Sequence, residues 1–220
     1  VVSTPMMSKI AKKNSIKIML SLTGFKWIGK MINDYPELEY ICGGEESFGF
    51  LAGNHVRDKD AITSALILSE LCNELKNKNS SFYDRLIECY INYGFFKEKL
   101  ITEIAKGKKG AKEIDDKINS FRKNPPKLLD NSSVVKIYDY KKSLLTKTKN
   151  NNLSQIKLPK SNLLIFESSD GTRVAVRPSG TEPKIKYYFS VNTKLNSKGD
   201  FNFKNDFLNK KINSLIKQFI

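Results

Sequence analysis

The chain has 220 residues, of which 40% are apolar and 10% aromatic. That length allows one large or two small domains, and the composition is not that of a disordered protein. No apolar run is long enough to span a bilayer, and the first residues lack the shape of a signal peptide. The net charge of +15 is uneven: residues 1–60 hold 8 Lys and Arg against 7 Asp and Glu, whereas residues 61–220 hold 30 against 16.

A positive excess of this size is one signature of nucleic-acid binding. Here it consists almost entirely of single lysines among asparagines, without an arginine-rich stripe, an aromatic ribonucleoprotein motif or a zinc finger. These features favour a solvated basic surface. We therefore expect no nucleic-acid and no membrane partner, and we keep a basic nucleic-acid-binding protein as an alternative.

Residues 1–94 alternate short apolar segments with amphipathic ones. The predicted elements are, in order, a helix after Ser3-Thr4-Pro5, a strand over 16–20, a helix over 25–32, a strand over 39–42, a glycine-rich loop over 43–49, a helix over 62–75 and a helix over 80–93. Asp58 or Asp60 is the natural N-cap of the longer helix, and Gly94 is a natural stop. This order is typical of an α/β layer domain with a mainly parallel sheet.

Residues 95–220 read as a second, α+β unit. The predicted elements are a strand over 95–105, a helix over 109–122, a strand over 134–140, an exposed loop over 146–154, a hairpin of 163–167 with 172–176, a strand over 184–191 and a helix over 203–220. The loop is predicted from its Lys, Asn and Thr content. The hairpin is predicted from the tight-turn sequence Ser169-Asp170-Gly171.

Residues 177–184 read Arg-Pro-Ser-Gly-Thr-Glu-Pro-Lys, a composition suited to binding a phosphate dianion. Arg177 offers a planar fork to two phosphate oxygens, and Ser179 and Thr181 each offer a hydroxyl. Gly180 is expected to turn the backbone with a positive φ and bring N–H groups close to the anion. An ordinary Pro/Gly turn between strands is the alternative, and the arginine and the second hydroxyl favour phosphate.

The glycine-rich loop and its surroundings carry groups suited to a sugar. The Glu45 carboxylate can accept hydrogen bonds from sugar hydroxyls, and Ser47 can donate one. Arg57 and Lys59 follow closely, where they could serve a charged ligand or neutralise the carboxylates. A lysine beside a phosphorylated substrate can also transfer a proton. Thr23, next to a glycine and two aromatics, suits a polyol with one apolar face.

The cysteines and the single histidine predict no metal site. Cys42, Cys72 and Cys89 are odd in number and fit neither a disulfide framework nor a metal-ligand spacing, and His55 has no histidine partner. These are features of a reducing compartment, and we expect a cytoplasmic protein with structural thiols.

Four motifs in a fixed order carry a family resemblance: residues 23–29, 43–49, 55–60 and 177–186. Together they resemble the third and fourth domains of the α-D-phosphohexomutases, most closely the phosphoglucomutase branch and the related phosphopentomutase-like enzymes. The resemblance implies that residues 1–94 are an N-terminally incomplete third domain that binds sugar. It implies that residues 95–220 are the C-terminal phosphate-binding domain, an α+β fold with an antiparallel sheet.

The same resemblance implies an isomerase of carbohydrate metabolism. Members are intramolecular phosphotransferases that interconvert sugar 1-phosphates and 6-phosphates, such as glucose 1-phosphate and glucose 6-phosphate, through a bisphosphate such as glucose 1,6-bisphosphate. By this likeness Glu45 and Ser47 hold the ring hydroxyls, and Thr23 and Arg57 contact the substrate. Lys59 lies near the transferring phosphate, where it is a candidate for proton transfer or charge neutralisation.

In the second unit, the likeness assigns Arg177, Ser179, Gly180 and Thr181 to the phosphate that is not transferred. The family's phosphoserine loop and its aspartate-rich Mg²⁺ loop do not occur in this sequence. The resemblance therefore implies Mg²⁺ only for a full-length enzyme, with ligands outside this chain, and N-terminal domains supplied in cis or in trans. We expect a fragment that is inactive alone, with a non-catalytic phosphosugar-binding module as the alternative.

Overall fold

The computed structural model describes residues 1–105, 107–180 and 182–220. The chain divides into two compact units, Val1–Tyr93 and Gly94–Ile220. None of the helices in these residues is both long and apolar enough to cross a membrane.

The first unit contains four helices and a hairpin among its described residues. In chain order they are α1 (Met6–Lys13), α2 (Lys26–Asp34), β1 (Cys42–Glu45), β2 (Gly49–Ala52), α3 (Ala61–Asn77) and α4 (Phe82–Tyr93). Asp60 is the N-cap of α3, because its carboxylate accepts the backbone N–H groups of Ile62 and Thr63. At the start of α4, Ser81 and Asp84 exchange side-chain and backbone hydrogen bonds as a capping box.

The mainly parallel sheet expected for this unit is not confirmed. The strands of its described residues are β1 and β2, which pair antiparallel from Cys42 with Ala52 to Glu45 with Gly49. Residues 16–20 were predicted as a strand but are not one. No neighbouring segment among the described residues supplies the ladder hydrogen bonds that a strand needs. The second predicted strand begins at Cys42 and includes the two glycines that were read as loop.

The second unit is a sheet with two helices packed against it. Its elements are β3 (Phe95–Ile104), α5 (Gly107–Lys123), β4 (Leu128–Leu129), β5 (Ser132–Asp139), β6 (Leu144–Lys147), β7 (Asn152–Gln155), β8 (Leu164–Ser168), β9 (Arg173–Pro178), β10 (Lys184–Thr193) and α6 (Phe201–Phe219). The strands lie in the order β3-β10-β9-β8-β5-β6-β7, with β4 beside β5. Every strand pair in the described residues is antiparallel, as expected.

The core of this unit lies on the face of β10 that α6 covers. Alternate residues of β10 are almost fully buried: Ile185, Tyr187, Phe189 and Val191. The ring of Phe219 in α6 lies with its centroid 6.2 Å from that of Phe189 and 5.3 Å from that of Phe121. These aromatic contacts attach both helices to the sheet.

The prediction of an exposed loop over residues 146–154 is wrong. Leu144–Lys147 and Asn152–Gln155 form the hairpin β6–β7 at the edge of the sheet. Asn151 takes a left-handed φ of 47° in the turn, which asparagine tolerates. The polar composition reflects a solvated edge strand, and such strands often carry lysine.

A charge pair between a buried lysine and a partly exposed aspartate joins α6 to the β8–β9 turn. Lys211 is 9% exposed, and its ammonium group donates to the carboxylate of Asp170. The same carboxylate accepts from the Ser168 hydroxyl at 2.6 Å and the Thr172 amide at 3.0 Å. Partial burial pushes the pKa of Asp170 upward, but the hydrogen bonds from Lys211 and Ser168 outweigh it and hold that pKa well below its usual range.

We predict that Asp170→Asn destabilises the second unit by about 2 kcal/mol, because it leaves the Lys211 ammonium buried without its carboxylate. The depressed pKa of Asp170 means that its contribution is complete above the unfolded pKa and is lost as pH falls toward the folded pKa. Urea unfolding at pH 7 measures the loss of stability on substitution. The same measurement below about pH 4 shows whether the difference between the variant and the parent becomes smaller. Asp206→Asn, at an exposed position of α6, the helix that carries Lys211, is the matched control. Equal losses of stability in the two variants would contradict the prediction.

Candidate functional site

The glycine-rich loop and the turn before α2 meet in the first unit. The backbone N–H of Gly24 donates to Oε1 of Glu45 at 2.5 Å. Gly24 has a φ of 117°, a conformation that L side chains rarely adopt. A Cβ on Gly49 would lie 3.1 Å from the Phe25 ring, so this glycine allows the loop to approach the turn. Thr23, half-buried, therefore lies beside the half-buried Glu45.

Lys59 also lies close to the Phe25 ring. Its Nζ is 5.8 Å from the centroid of the buried Phe25 ring and 3.6 Å from Oδ1 of Asp58. The Lys59 side chain remains 57% exposed. Its separation from Asp58 is longer than a hydrogen bond, so the ammonium group keeps donors for an anionic ligand. The structure thus brings together three predicted positions, Thr23, Glu45 and Lys59, around one aromatic ring.

A small apolar core supports these groups. Phe25, Ile28 and Leu51 are buried together, with Ile32 and Tyr40 packed against them. Phe25 precedes α2, Ile28 lies in α2 and Leu51 lies in β2. The core therefore fixes the start of the helix relative to the hairpin that carries Glu45.

Arg57 is engaged elsewhere. Its guanidinium donates to Oδ1 of Asn33 at 2.8 Å and to the backbone carbonyls of Asn54 and Val56. It lines a cavity of about 420 Å³ together with Tyr40 and neighbouring residues. These contacts brace the 54–57 loop against α2, and the structure does not bring Arg57 into the group around Phe25.

The tip of the β1–β2 hairpin is exposed. Ser47 has no hydrogen bond to a described residue, and Glu46 accepts from the Ser3 hydroxyl at 3.3 Å. Phe48 has a left-handed φ of 64° and its side chain is fully exposed. This conformation is strained for an aromatic residue. Sequence reasoning missed Phe48, and no local signal distinguished it from a core aromatic.

Asp60 fixes the loop on the other side of Lys59. Its N–H donates to the carbonyl of Phe50 at 2.8 Å, and its carboxylate accepts from the Thr63 hydroxyl and lies 2.9 Å from His55 Nε2. The hydrogen bonds from Thr63 and His55 hold the pKa of Asp60 well below its usual range. Sequence reasoning left the cap open between Asp58 and Asp60, and it did not predict the contact of His55 with the Asp60 carboxylate.

We predict that Asp60→Ala lowers the melting temperature of the first unit, because α3 loses its cap and the Lys59 segment loses its anchor. Amide exchange of residues 57–63 should become faster in the same variant. Asp58→Ala, two residues away on a 75% exposed side chain, should leave the melting temperature unchanged and speed exchange only at the Lys59 amide, which donates to the Asp58 carboxylate at 2.8 Å. If the two variants behave alike, Asp60 does not hold this segment.

The phosphate loop predicted over residues 177–184 joins β9 to β10. The Ser179 N–H donates to the Lys184 carbonyl at 2.8 Å, which closes the loop at its base. The Ala105 N–H donates to the Pro183 carbonyl at 2.8 Å, which ties the loop to the end of β3. Gly180 does not take the positive φ expected of it, and a Cβ there would meet no atom within 4 Å. Thr181 lies outside the described residues.

The loop has a cationic base. Arg177 lies opposite Lys186 in the β9–β10 register, and its guanidinium makes no hydrogen bond or ion pair with a described residue. Lys184 pairs with Glu182 and lowers the pKa of that carboxyl. Sequence reasoning missed Lys186, although the alternation along β10 placed it on the same face as Lys184. Two cations therefore stand on adjacent strands, one of them with its whole donor fork available.

No group of three or more His, Cys, Asp or Glu within residues 1–105, 107–180 and 182–220 could hold a metal ion. The three cysteines are free thiols. Partial desolvation of its sulfur raises the pKa of Cys42, whose residue as a whole is exposed.

Comparison with known proteins gives one consistent result. A family model described as phosphoglucomutase/phosphomannomutase, alpha/beta/alpha domain III, matches residues 1–90. A second, described as the C-terminal domain of phosphoglucomutase/phosphomannomutase, matches residues 118–194.

Three staphylococcal proteins named phosphoglucomutase are similar to the chain. The Staphylococcus epidermidis protein is 36% identical over 192 residues, the Staphylococcus haemolyticus protein 31% over 193, and the Staphylococcus aureus protein 35% over 192. Each match covers 87% of this chain and 35% of the relative. The chain therefore spans about a third of the length of these relatives.

The open form of parafusin, a phosphoglucomutase from Paramecium, has a similar fold. It superimposes with a TM-score of 0.61 at 24% identity, and the match covers 97% of this chain and 36% of that one.

Proposed function

Because this chain belongs to the phosphoglucomutase/phosphomannomutase family, we propose that it supplies the sugar-binding and phosphate-binding loops of an enzyme that interconverts sugar 1-phosphates and 6-phosphates. The proposal assigns hydroxyl recognition to the first unit and phosphate recognition to the second. The observation that carries it is the Arg177 guanidinium, which lies at the base of its loop opposite Lys186 and makes no hydrogen bond or ion pair with the residues that the structure describes.

The second unit offers what a phosphate dianion requires. Arg177 presents paired N–H donors in a plane, and a phosphate accepts them two at a time. Lys186, its cross-strand neighbour, adds a second positive charge. Ser179 contributes a hydroxyl, and its backbone N–H is already used to close the loop. Under the proposal, this loop holds the phosphate that stays in place.

The first unit offers acceptors and donors for hydroxyl groups. Glu45 uses one carboxylate oxygen on the Gly24 amide, which orients its second oxygen as an acceptor. Ser47 is exposed on the same hairpin, and Thr23 lies on the adjoining turn. Two sugar hydroxyls held by one oriented carboxylate fix the position of a ring, and positioning is the main contribution that a protein makes to phosphoryl transfer.

Under this proposal, Lys59 lies next to the phosphoryl group that is transferred. Its exposed ammonium group can neutralise charge that develops on a transferring phosphoryl group, or it can donate a proton to the leaving oxygen. The contact of its ammonium group with the Phe25 ring and the hydrogen bond that fixes the backbone of Asp60 limit the positions that the Lys59 side chain can reach. The Arg57 assignment rests on the family resemblance alone, because its guanidinium braces the 54–57 loop.

Turnover is proposed only for a whole protein that also carries a phosphoserine and bound Mg²⁺. The residues that the structure describes include no set of ligands for that ion, so no step here depends on it. A phosphosugar-binding module without catalysis is the second candidate, since each loop is formed within its own unit. Calorimetric titration of this chain with glucose 1,6-bisphosphate distinguishes the two: binding at millimolar concentrations or below supports the module, and no binding supports a part that needs the other domains.

We predict that Arg177→Ala abolishes the protection that a sugar bisphosphate gives this chain against thermal unfolding. The loss of a charge-assisted, bidentate contact should weaken binding roughly tenfold to a hundredfold. Differential scanning fluorimetry with and without glucose 1,6-bisphosphate measures the effect. Lys149→Ala, which removes one exposed charge from the β6–β7 turn, controls for net charge. A parent chain that is protected by the bisphosphate and an Arg177 variant that is protected equally would together refute the assignment.

A further inference from the structure

The second unit contains a cavity of about 520 Å³ that includes none of the residues assigned to sugar or phosphate. Its apolar lining consists of Pro125, Pro126, Val134 and Ile137. The two prolines follow the end of α5, and the other two residues lie in β5. Sites for small molecules have volumes of this order and are mostly apolar, with a few polar groups that orient the ligand.

A β-bulge gives the cavity its apolar surface. The pairing of β5 with β8 shifts by one residue between Val134 and Lys136, so Val135 is the extra residue of the bulge. Side chains three positions apart on a regular strand point to opposite faces, whereas Val134 and Ile137 both line the cavity. Bulges commonly redirect side chains next to binding sites, and this one places two apolar groups on the same face.

Hydrogen bonds hold the two segments that flank β5. The Val134 N–H donates to the Lys127 carbonyl at 2.9 Å, which attaches the segment after α5 to the strand. On the other side, the Thr148 hydroxyl donates to the Val134 carbonyl at 2.7 Å, and the Thr148 N–H donates to the Val135 carbonyl at 3.0 Å. The proline rings restrict the backbone further. The cavity is therefore formed before a ligand arrives, which lowers the entropy lost on binding.

The charged groups at the cavity are all positive. Lys123 and Lys127 line it and are exposed, and neither ammonium group makes an ion pair with a described residue. The exposed side-chain amide of Asn124 also has no hydrogen bond within the described part of the chain. None of the described residues that line the cavity is acidic. An apolar surface bordered by two ammonium groups complements a molecule with an apolar body and an anionic group.

We propose that this cavity binds a small organic acid, a carboxylate with an aromatic or aliphatic body. A sugar phosphate is a poorer occupant, because its hydroxyls would lie against prolines, a valine and an isoleucine without hydrogen-bond partners. The Thr148 hydroxyl, which could otherwise serve a sugar, already donates to a backbone carbonyl. The proposal does not depend on the proposed function of the sugar and phosphate loops.

The cavity and the phosphate loop lie toward opposite ends of the sheet. Strand β9 reaches that loop at Pro178, two residues after Val176, which pairs with Leu164 of β8. Val134 pairs with Ser168, at the other end of β8. A ligand in the cavity should therefore leave the residues assigned to phosphate accessible.

The experiment titrates the isotope-labelled chain with 2-naphthoate and follows the amide chemical shifts. We expect a Kd of about 1 mM or below, which is typical of a probe of this size. The largest shifts should occur at Val134, Ile137 and Thr148, whose residues line the cavity. The neutral analogue 2-naphthamide should shift the same amides with an affinity about fivefold lower, because it lacks the charge that the lysines attract.

A pair of double variants tests the part played by the lysines. Lys123→Ser combined with Lys127→Ser should weaken 2-naphthoate binding about fivefold and leave 2-naphthamide binding unchanged. Lys157→Ser combined with Lys160→Ser removes the same charge from exposed positions of the second unit outside the cavity, and it should change neither affinity. Amide spectra that match the parent away from the substituted residues verify that both variants are folded.

The proposal is wrong if 2-naphthoate up to about 10 mM shifts none of the three cavity amides. Equal affinities of the parent for the carboxylate and the amide, or equal losses in the two double variants, would also contradict it. Arg177→Ala should leave the 2-naphthoate titration unchanged. Loss of the cavity shifts in that variant would assign the effect to the phosphate loop and overturn the proposal of a separate site.

Discussion

The pairing of β10 with its two neighbours governs the second unit. From Lys184 to Thr193 it is matched residue for residue with β3, and from Ile185 to Ser190 it is matched with β9. One face of β10 is buried under α6, so a shift of register by a single residue would place Lys186 and Ser190 under the helix in place of Tyr187 and Phe189. The loop between β9 and β10 opens where this pairing stops, and Arg177 and Lys186 are neighbours because the register makes them so. The position of these two cations therefore follows from packing on the opposite face of the sheet.

The first unit fixes its polar groups in a different way. Its described strands form a single hairpin, and three buried side chains, Phe25, Ile28 and Leu51, support the turns around it. The Gly24–Glu45 hydrogen bond joins two segments that are 21 residues apart in the chain. The position of the Glu45 carboxylate depends on the close backbone approach that glycine permits and on its hydrogen bond to Gly24. A small displacement of the β1–β2 hairpin would break that hydrogen bond and release Glu45 from the turn.

The sequence predicted the elements whose signal is local. Helix α6 and the β8–β9 hairpin followed from periodicity and from the turn residues beside Asp170, because amphipathic spacing and turn chemistry act over a few residues. The predictions that failed depended on contacts or backbone conformations that the local sequence does not determine. Residues 16–20 had the pattern of a strand, but a strand needs a partner that the pattern does not contain. The hairpin at 144–155 was hidden by the polar side chains of an edge. The positive φ assigned to Gly180 assumed that glycine implies a left-handed turn, when open space around it allows other conformations.

The site residues divide in the same way. Motif spacing identified Thr23, Glu45 and Lys59, and the fold brought them together, whereas Lys186 was visible only once the β9–β10 register was known. Like charges directly opposite each other on adjacent strands repel, so the register that pairs Arg177 with Lys186 costs the second unit some of the stability that its packing provides. Under the proposed function, a phosphate between these two strands would relieve this repulsion as well as accept hydrogen bonds from Arg177. Part of the binding free energy would then come from removing a repulsion that the register of the sheet imposes.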